Sequence, residues 1–160
     1  MASAYDFTFE TLKGTPYPLS QHAGKAILVV NTASQCGFTP QYKALQALVG
    51  PFPELVIIGV PSNDFGGQEP GTDADIKEFC TAKYAVTFPM FHKLEVNGAN
   101  RHPLYVTLAG PDSPFPGDIK WNFTKFLIGR DGKILNRFDS KVKPDSEAVT
   151  KAIEAALAAK

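Results

Sequence analysis

Two uninterrupted apolar runs predict strands that are buried on both faces. The segment AILVVNTAS (26–34) opens with five apolar residues, and LVIIGV (55–60) is apolar apart from one glycine. Runs without the alternation of a half-buried strand are typical of central strands in a parallel or mixed sheet. The longest strongly apolar run, 26–30, is far too short to span a membrane.

Apolar residues at helical spacing follow the first strand. Thr39 and Pro40 are expected to be the N-cap and the first residue of a helix. Gly50, which precedes two nearby prolines, is expected to end it. The buried face of this helix is predicted to contain Tyr42, Leu45, Leu48 and Val49.

Further helices are predicted after the second strand and towards the end of the chain. Thr72 is expected to be an N-cap, followed by acidic residues in the first turn, where the helix dipole favours them. One face of this helix is predicted to contain Ile76, Phe79, Cys80 and Lys83, so that Cys80 points inward. A short helix is predicted near 101–109, and an amphipathic one over about 145–158 through Val149, Ile153, Ala156 and Leu157.

Two hairpins complete the predicted elements. Residues 5–10 and 16–19 are predicted to be short strands around Lys13, and residues 122–128 and 133–138 to pair across a turn at 129–132. This order predicts an α/β fold with a central mixed sheet flanked by helices and an N-terminal β-hairpin. We find no repeat and no linker, so residues 1–160 are expected to form a single domain.

The composition is that of a globular protein without a preference for polyanions. Of the 160 residues, 44% are apolar and 20% are charged, and 16 basic residues balance 16 acidic ones. This balance gives no support for binding to nucleic acid or to an acidic membrane surface. The N-terminus, MASAYDFTF, has no basic and no apolar region, so no secretory signal is evident and a cytoplasmic location is expected.

Cys36 is the first candidate for chemistry, because it follows a buried strand and precedes the predicted N-cap by three residues. Functional groups in α/β folds lie at the carboxyl ends of strands, and a helix N-terminus favours a thiolate. An inert cysteine that packs as a small apolar residue is the alternative that position leaves open. The chain has two cysteines and no CxxC, and its histidines lie far apart, so a zinc site is not expected.

Three segments together match a known pattern: NTASQCGFTPQY (31–42), PSNDFGGQEPG (61–71) and WNFTKFL (121–127). They resemble the three motifs of the glutathione peroxidase family, in the cysteine-containing, thioredoxin-dependent form of bacterial and plant members. Shorter matches at 86–91 and 102–105 extend the resemblance over nearly the whole chain. It implies a thioredoxin-like fold and the reduction of hydrogen peroxide or organic hydroperoxides, with no cofactor.

The resemblance also implies roles for individual residues. Cys36 corresponds to the peroxidatic residue, and Trp121 and Asn122 correspond to residues whose indole and amide N–H groups approach the reactive sulfur. Two neutral donors can stabilise a thiolate and help to orient the peroxide. A core aromatic and a turn residue at a strand entry are the simpler interpretations of Trp121 and Asn122.

Asp64 departs from the family pattern, which has glutamine at this position. A glutamine amide can donate a hydrogen bond to a thiolate, whereas an ionised aspartate cannot. Three interpretations of Asp64 therefore stay open. Its carboxyl group is held protonated and donates a hydrogen bond to the sulfur, or it turns away from the sulfur. In the third, it accepts a proton that is on its way to the leaving hydroxide. A plain turn role within 62–66 is the remaining alternative.

Cys80 lies in a segment, 78–89, that resembles the one carrying the resolving cysteine in thioredoxin-dependent members. The family chemistry implies that Cys36 becomes a sulfenic acid, that Cys80 condenses with it, and that an external dithiol reduces the resulting disulfide. A disulfide needs Cα atoms within about 7 Å, so the helix around 73–82 is expected to unwind or shift on oxidation. An inert, buried Cys80 is the alternative.

The resemblance also bears on partners and on competing functions. The segment 110–120 is shorter than in tetrameric members, which suggests a monomer and, with Cys80, thioredoxin as the reductant and glutathione as the alternative. No basic cluster that would bind the carboxylates of glutathione is obvious in the sequence. The competing hypotheses are a peroxide sensor or redox relay with the same cysteine pair, and a binding module without catalytic activity.

Overall fold

The computed structural model describes residues 4–12, 14–67 and 69–158. Short 3-10 helices at Ala4–Asp6 and Leu19–His22 flank an N-terminal hairpin. The elements follow in the order β1 (Thr8–Glu10), β2 (Pro16–Pro18), β3 (Ala26–Thr32), α1 (Gln41–Ala47), β4 (Leu55–Pro61), α2 (Asp73–Tyr84), α3 (Pro103–Ala109), β5 (Lys125–Ile128), β6 (Ile134–Phe138) and α4 (Glu147–Ala158).

Four strands form a sheet in the order β4-β3-β5-β6, and β1 and β2 pair separately as an antiparallel hairpin. β3 is parallel to β4 along its whole length, from Ala26 opposite Leu55 to Thr32 opposite Pro61. It is antiparallel to β5, which forms a hairpin with β6. The predicted mixed sheet and N-terminal hairpin are therefore confirmed.

Both faces of β3 are covered, as its uninterrupted apolar sequence predicts. Leu28 and Val30 pack on one face with side chains of α1, α2 and α4, in a cluster that we call the helical core. Ile27 and Val29 pack on the other face with side chains of β1 and α3. Helices thus lie on both sides of the sheet. None of the helices in the described residues is both long enough and apolar enough to cross a membrane.

The start of α1 differs from the prediction. The helix begins at Gln41, and Pro40 rather than Thr39 is its N-cap. The Thr39 hydroxyl instead accepts a hydrogen bond from the Cys36 N–H (2.9 Å) and donates one to the Ala33 carbonyl (2.8 Å). Because this side chain is engaged within the preceding turn, it does not cap the helix. The helix N-terminus therefore lies further along the chain from Cys36 than expected.

Several other element boundaries also differ. The N-terminal strands are shorter than predicted, because 3-10 turns occupy residues 4–6 and 19–22; Lys13 lies outside the described residues. β5 begins at Lys125 rather than at 122, because the preceding residues form a turn against β3. Val49, predicted to be buried, follows the end of α1 and is 36% exposed.

The predicted N-cap of α2 and the inward position of Cys80 are confirmed. The Thr72 hydroxyl accepts a hydrogen bond from the Asp75 N–H, and the Asp75 carboxylate accepts one from the Thr72 N–H. This capping box is worth about 1 kcal/mol. Cys80 is buried, as predicted. Lys83, however, is exposed, with its Nζ 5.6 Å from the centre of the Phe79 ring, so its placement on the inward face was wrong.

Candidate active site

Cys36 lies in the turn that links β3 to α1, and its side chain is close to fully buried at 7% exposure. The Phe38 N–H donates a hydrogen bond to Cys36 Sγ over 3.3 Å. The Thr39 hydroxyl ties the Cys36 main chain to the end of β3 through the two hydrogen bonds described above. A backbone donor that is held at the sulfur can stabilise negative charge there without reorganising.

The turn that carries Trp121 and Asn122 is fastened to the same strand by Asn31. The Asn31 amide donates to the Trp121 carbonyl (3.1 Å), and its side-chain oxygen accepts from the Thr124 N–H (3.1 Å). The Asn31 carbonyl accepts from the Phe123 N–H (2.6 Å). β3 therefore sets the position of both segments, since it leads into the Cys36 turn and holds the turn at 121–124.

Trp121 and Asn122 differ in their surroundings. The Trp121 side chain is half-buried, packs against the helical core that includes Cys36, and lies 5.8 Å from the Phe65 ring centre. Asn122 is fully buried, and its carbonyl accepts a hydrogen bond from the Ser140 hydroxyl (2.5 Å). The structure thus packs Trp121 against the cluster that includes Cys36 and holds the Asn122 main chain through the Ser140 hydroxyl.

Asp64 is exposed, and its carboxylate is engaged by another part of the chain. Asp64 Oδ2 accepts hydrogen bonds from the Val96 N–H (2.8 Å) and the Asn97 N–H (3.2 Å). These contacts fit the interpretation in which Asp64 turns away from the sulfur. The turn at 62–65 is further closed by the Ser62 hydroxyl, which accepts from the Asp64 N–H.

Cys80 belongs to the same helical core as Cys36, and both are free thiols. Cys80 is only 2% exposed. Burial raises the pKa of its thiol to about 11, the Glu69 carboxylate adds to this increase, and Tyr42 opposes it. At neutral pH the Cys80 sulfur is therefore protonated, so it needs a base or a new environment before it can act as a nucleophile.

A match to a family model decides the identity. The model described as "Glutathione peroxidase" matches residues 4–109. The chain belongs to the glutathione peroxidase family. The hydroperoxy fatty acid reductase gpx1 of Synechocystis sp. is 52% identical over 153 residues, which is 90% of each chain. The glutathione peroxidase-like peroxiredoxin HYR1 of Saccharomyces cerevisiae is 46% identical over 154 residues, which is 94% of each chain.

Solved structures agree with this family assignment. The crystal structure of Trgpx in apo form has a TM-score of 0.75 and 38% identity, covering 98% of this chain and 97% of that one. A thioredoxin family thiol:disulfide interchange protein from Chlorobium tepidum has a TM-score of 0.66 at 19% identity, over 98% and 96% of the two chains. The latter shows the fold alone. The thioredoxin-like fold is confirmed, and this glutathione peroxidase family member is a thiol peroxidase.

Lys125 was not predicted to have a role, and the structure buries it at the start of β5. This fully buried lysine donates hydrogen bonds to the carbonyls of Asp139, Ser140 and Val142. Burial lowers the pKa of its amine to about 7, against an opposing effect of Asp139. The fixed loop presents the Ser140 hydroxyl to Asn122. The sequence feature that could have indicated this structural role is a single lysine in an otherwise apolar strand, KFLI.

A groove next to the Cys36 turn contains three lysines, which sequence inspection did not bring together. The groove has a volume of about 520 Å³, and its lining includes Phe38, Pro40 and Ala44. The cationic lining residues come from α1 and from the loop after β6: Lys43, Lys141 and Lys143. No such cluster was obvious in the sequence, because the lysines that the structure brings together lie about a hundred positions apart.

Proposed function

We propose that this thiol peroxidase works through a two-cysteine cycle that begins at Cys36. The observation that carries the proposal is a sulfur in the turn after β3, with a backbone N–H directed at it and the Trp121 turn packed against the same core. The Cys36 thiolate attacks a peroxide oxygen, so that an S–O bond forms and the O–O bond breaks. An alcohol or water leaves after protonation, and Cys36 becomes a sulfenic acid.

Cys80 is proposed to complete the oxidative half of the cycle. Its thiolate attacks the Cys36 sulfur, the S–S bond forms, and the S–O bond breaks to release water. Because Cys80 is buried in the helical core, we propose that α2 shifts or unwinds to bring the two sulfurs together. An external dithiol then reduces the disulfide by thiol exchange.

Thioredoxin is proposed as that dithiol, with glutathione as the alternative. The support is the pair of cysteines. In the proposed cycle they form an intramolecular disulfide, and a dithiol reduces such a disulfide by thiol–disulfide exchange. The relative in S. cerevisiae is named a peroxiredoxin, which fits this assignment. We further propose that the protein is a cytoplasmic monomer. Multi-angle light scattering of the reduced protein tests the monomer, and a stable dimer would contradict it.

A fatty-acid hydroperoxide is proposed as a substrate besides hydrogen peroxide. The Synechocystis relative is named a hydroperoxy fatty acid reductase. The groove beside Cys36 combines apolar walls with three lysines, a combination that suits an aliphatic chain ending in a carboxylate. One acidic residue, Asp145, also lines it, so the net charge of the groove remains positive.

A coupled assay with peroxide, thioredoxin, thioredoxin reductase and NADPH tests the cycle. Cys36→Ser is expected to abolish turnover and oxidation. Cys80→Ser is expected to allow one rapid oxidation of Cys36, detected as a sulfenate by mass spectrometry, but to stop turnover with thioredoxin. Full turnover of the Cys80→Ser variant would remove its resolving role. Slow turnover of the parent, together with rapid disulfide formation, would indicate a sensor or relay instead.

The substrate groove is tested by replacing Lys43, Lys141 and Lys143 together with glutamine. KM for a long-chain fatty-acid hydroperoxide is expected to rise about tenfold, because three exposed charges at about 0.5 kcal/mol each sum to about 1.5 kcal/mol, close to the value of about 1.4 kcal/mol for a tenfold change. The rate with hydrogen peroxide should stay unchanged. Lys151→Gln, on the exposed side of α4, is the control. An equal loss for both substrates would show that the lysines support the fold rather than bind the substrate.

A further inference from the structure

Glu69 is a buried carboxyl group that the cycle proposed above does not use. It is 1% exposed, and its Oε2 has no hydrogen-bond partner among the described residues. Its main chain is fixed, since the N–H donates to Asn63 Oδ1 (2.9 Å) and the carbonyl accepts from Lys93 Nζ (3.0 Å). A buried carboxylate without full pairing is costly, so its presence at this position calls for an explanation.

The surroundings of Glu69 form a buried polar cluster between the two cysteine-bearing segments. The hydroxyls of Thr32, Ser34 and Tyr42 are likewise buried without a hydrogen bond of ordinary geometry in the described part of the chain. Ser34 lies two residues before Cys36 and interacts with the Glu69 carboxyl. Tyr42 interacts with Thr32 and with the Cys80 thiol.

A pocket of about 330 Å³ lies between the Cys36 turn and α2. It is lined by Glu69 together with Ser34 and Gln35 from the turn, and by Ile76 and Phe79 from α2. The carboxyl group therefore faces the loop in which the sulfenic acid forms. The charge of Glu69 also acts on Cys80, which lies one helical turn beyond Ile76.

We propose that Glu69 is the proton acceptor for Cys80 during disulfide formation, with the Tyr42 hydroxyl between them. This inference rests on the proposed two-cysteine cycle. The Glu69 carboxylate takes the Cys80 proton, through Tyr42, and leaves a Cys80 thiolate. The thiolate forms the S–S bond with Cys36 while the S–O bond breaks, and the departing hydroxide takes the proton from Glu69 to become water. The carboxylate is thereby restored.

The charged and titratable groups around Glu69 are consistent with this role. Burial raises its pKa above the ordinary value, and Ser34 and Lys93 oppose the shift. A base whose pKa lies nearer to neutrality transfers protons more effectively than an ordinary carboxylate. Asp75 lines the same pocket, and Tyr42 and Cys80 are further titratable neighbours.

The test separates the two oxidation steps after one equivalent of hydrogen peroxide, with rapid quenching and mass spectrometry. In Glu69→Gln, oxidation of Cys36 is expected to proceed within about twofold of the parent, whereas formation of the Cys36–Cys80 disulfide slows about 100-fold. In the parent, the disulfide step should accelerate with pH as Glu69 ionises, and Glu69→Gln should lose that dependence. Glu78→Gln, an exposed position on α2, is the matched control.

Tyr42→Phe keeps the aromatic ring in the core and provides a second test, with the disulfide step expected to slow about tenfold. Disulfide formation at the parental rate in both variants would overturn the proposal. A faster step in Glu69→Gln would also overturn it, because the carboxylate would then only keep Cys80 protonated. If the parent forms no disulfide at all, the cycle itself fails, and the role of Glu69 fails with it.

Discussion

Replacement of Asn31 by alanine tests whether β3 holds the turn that carries Trp121 and Asn122. The change deletes the amide donor to the Trp121 carbonyl and the acceptor for the Thr124 N–H, both at 3.1 Å. The main-chain bond from Phe123 to residue 31 remains. The variant therefore isolates the contribution of one side chain to the site.

The magnitude follows from the partners that remain. The Trp121 carbonyl keeps the hydrogen bond from the Thr124 hydroxyl (3.0 Å), so losing Asn31 costs about 1 kcal/mol there. The buried Thr124 N–H is left without its acceptor, which costs about 1–3 kcal/mol. We expect Asn31→Ala to lower the free energy of unfolding by about 2–4 kcal/mol. A loosened turn should also slow Cys36 oxidation by about 10- to 100-fold.

Urea unfolding, followed by the fluorescence of the single tryptophan, measures the stability change, and stopped-flow mixing with hydrogen peroxide measures the rate. Asn136→Ala, at a half-buried position of β6, is the control and should cost less than about 1 kcal/mol. If Asn31→Ala unfolds at the parental urea concentration and is oxidised at the parental rate, the side chain does not position the turn, and the reasoning is refuted.

Three further predictions concern residues around the site. The Lys125 amine has a pKa of about 7 when folded and an ordinary value near 10.4 when unfolded, so the unfolded state binds more protons between these values. The free energy of unfolding should therefore rise with pH across this window, by up to about 1.4 kcal/mol per pH unit, and Lys125→Met should remove that rise. Urea unfolding at several pH values measures this dependence, and the same dependence on pH in the parent and in Lys125→Met would contradict the prediction. Thr39→Val should lower the free energy of unfolding by about 1–3 kcal/mol and slow Cys36 oxidation, because it removes the hydroxyl that bonds to Cys36 and Ala33. Thr39→Ser keeps the hydroxyl and should behave as the parent. Similar losses of stability and oxidation rate in both variants would exclude the hydroxyl as the cause. Asp64→Ala should lower the thermal stability by about 1 kcal/mol and leave the rate of peroxide reduction within about threefold, and a much larger rate loss would show that the carboxylate acts at the sulfur.

Most of the fold could be predicted because its signals are local. The run at 26–30 is buried on both faces, and such a run identifies a central strand without knowledge of its partners. Thr72 caps α2 through Asp75, three residues along the same chain, so the sequence contains the whole interaction. The inward position of Cys80 follows from the helical period.

The features that could not be predicted depend on contacts between distant segments. Thr39 has the sequence context of an N-cap, yet its hydroxyl bonds to Cys36 and Ala33 because the turn before α1 is tight. Asn31 and Lys125 are polar residues in buried strands, and only the packed structure shows which carbonyls they bind. Asp64 illustrates the same limit, since its partners lie more than thirty residues away.

In the loop after β6, the backbone and the lysine residues have different roles. Its carbonyls at 139, 140 and 142 accept hydrogen bonds from Lys125, while Lys141 and Lys143 line the groove. Mutation at 141 or 143 leaves those carbonyls in place. Exchange of those two charges is therefore expected to leave the support of the Asn122 main chain intact, so the electrostatic character of the groove can vary independently of the turn at 121–124.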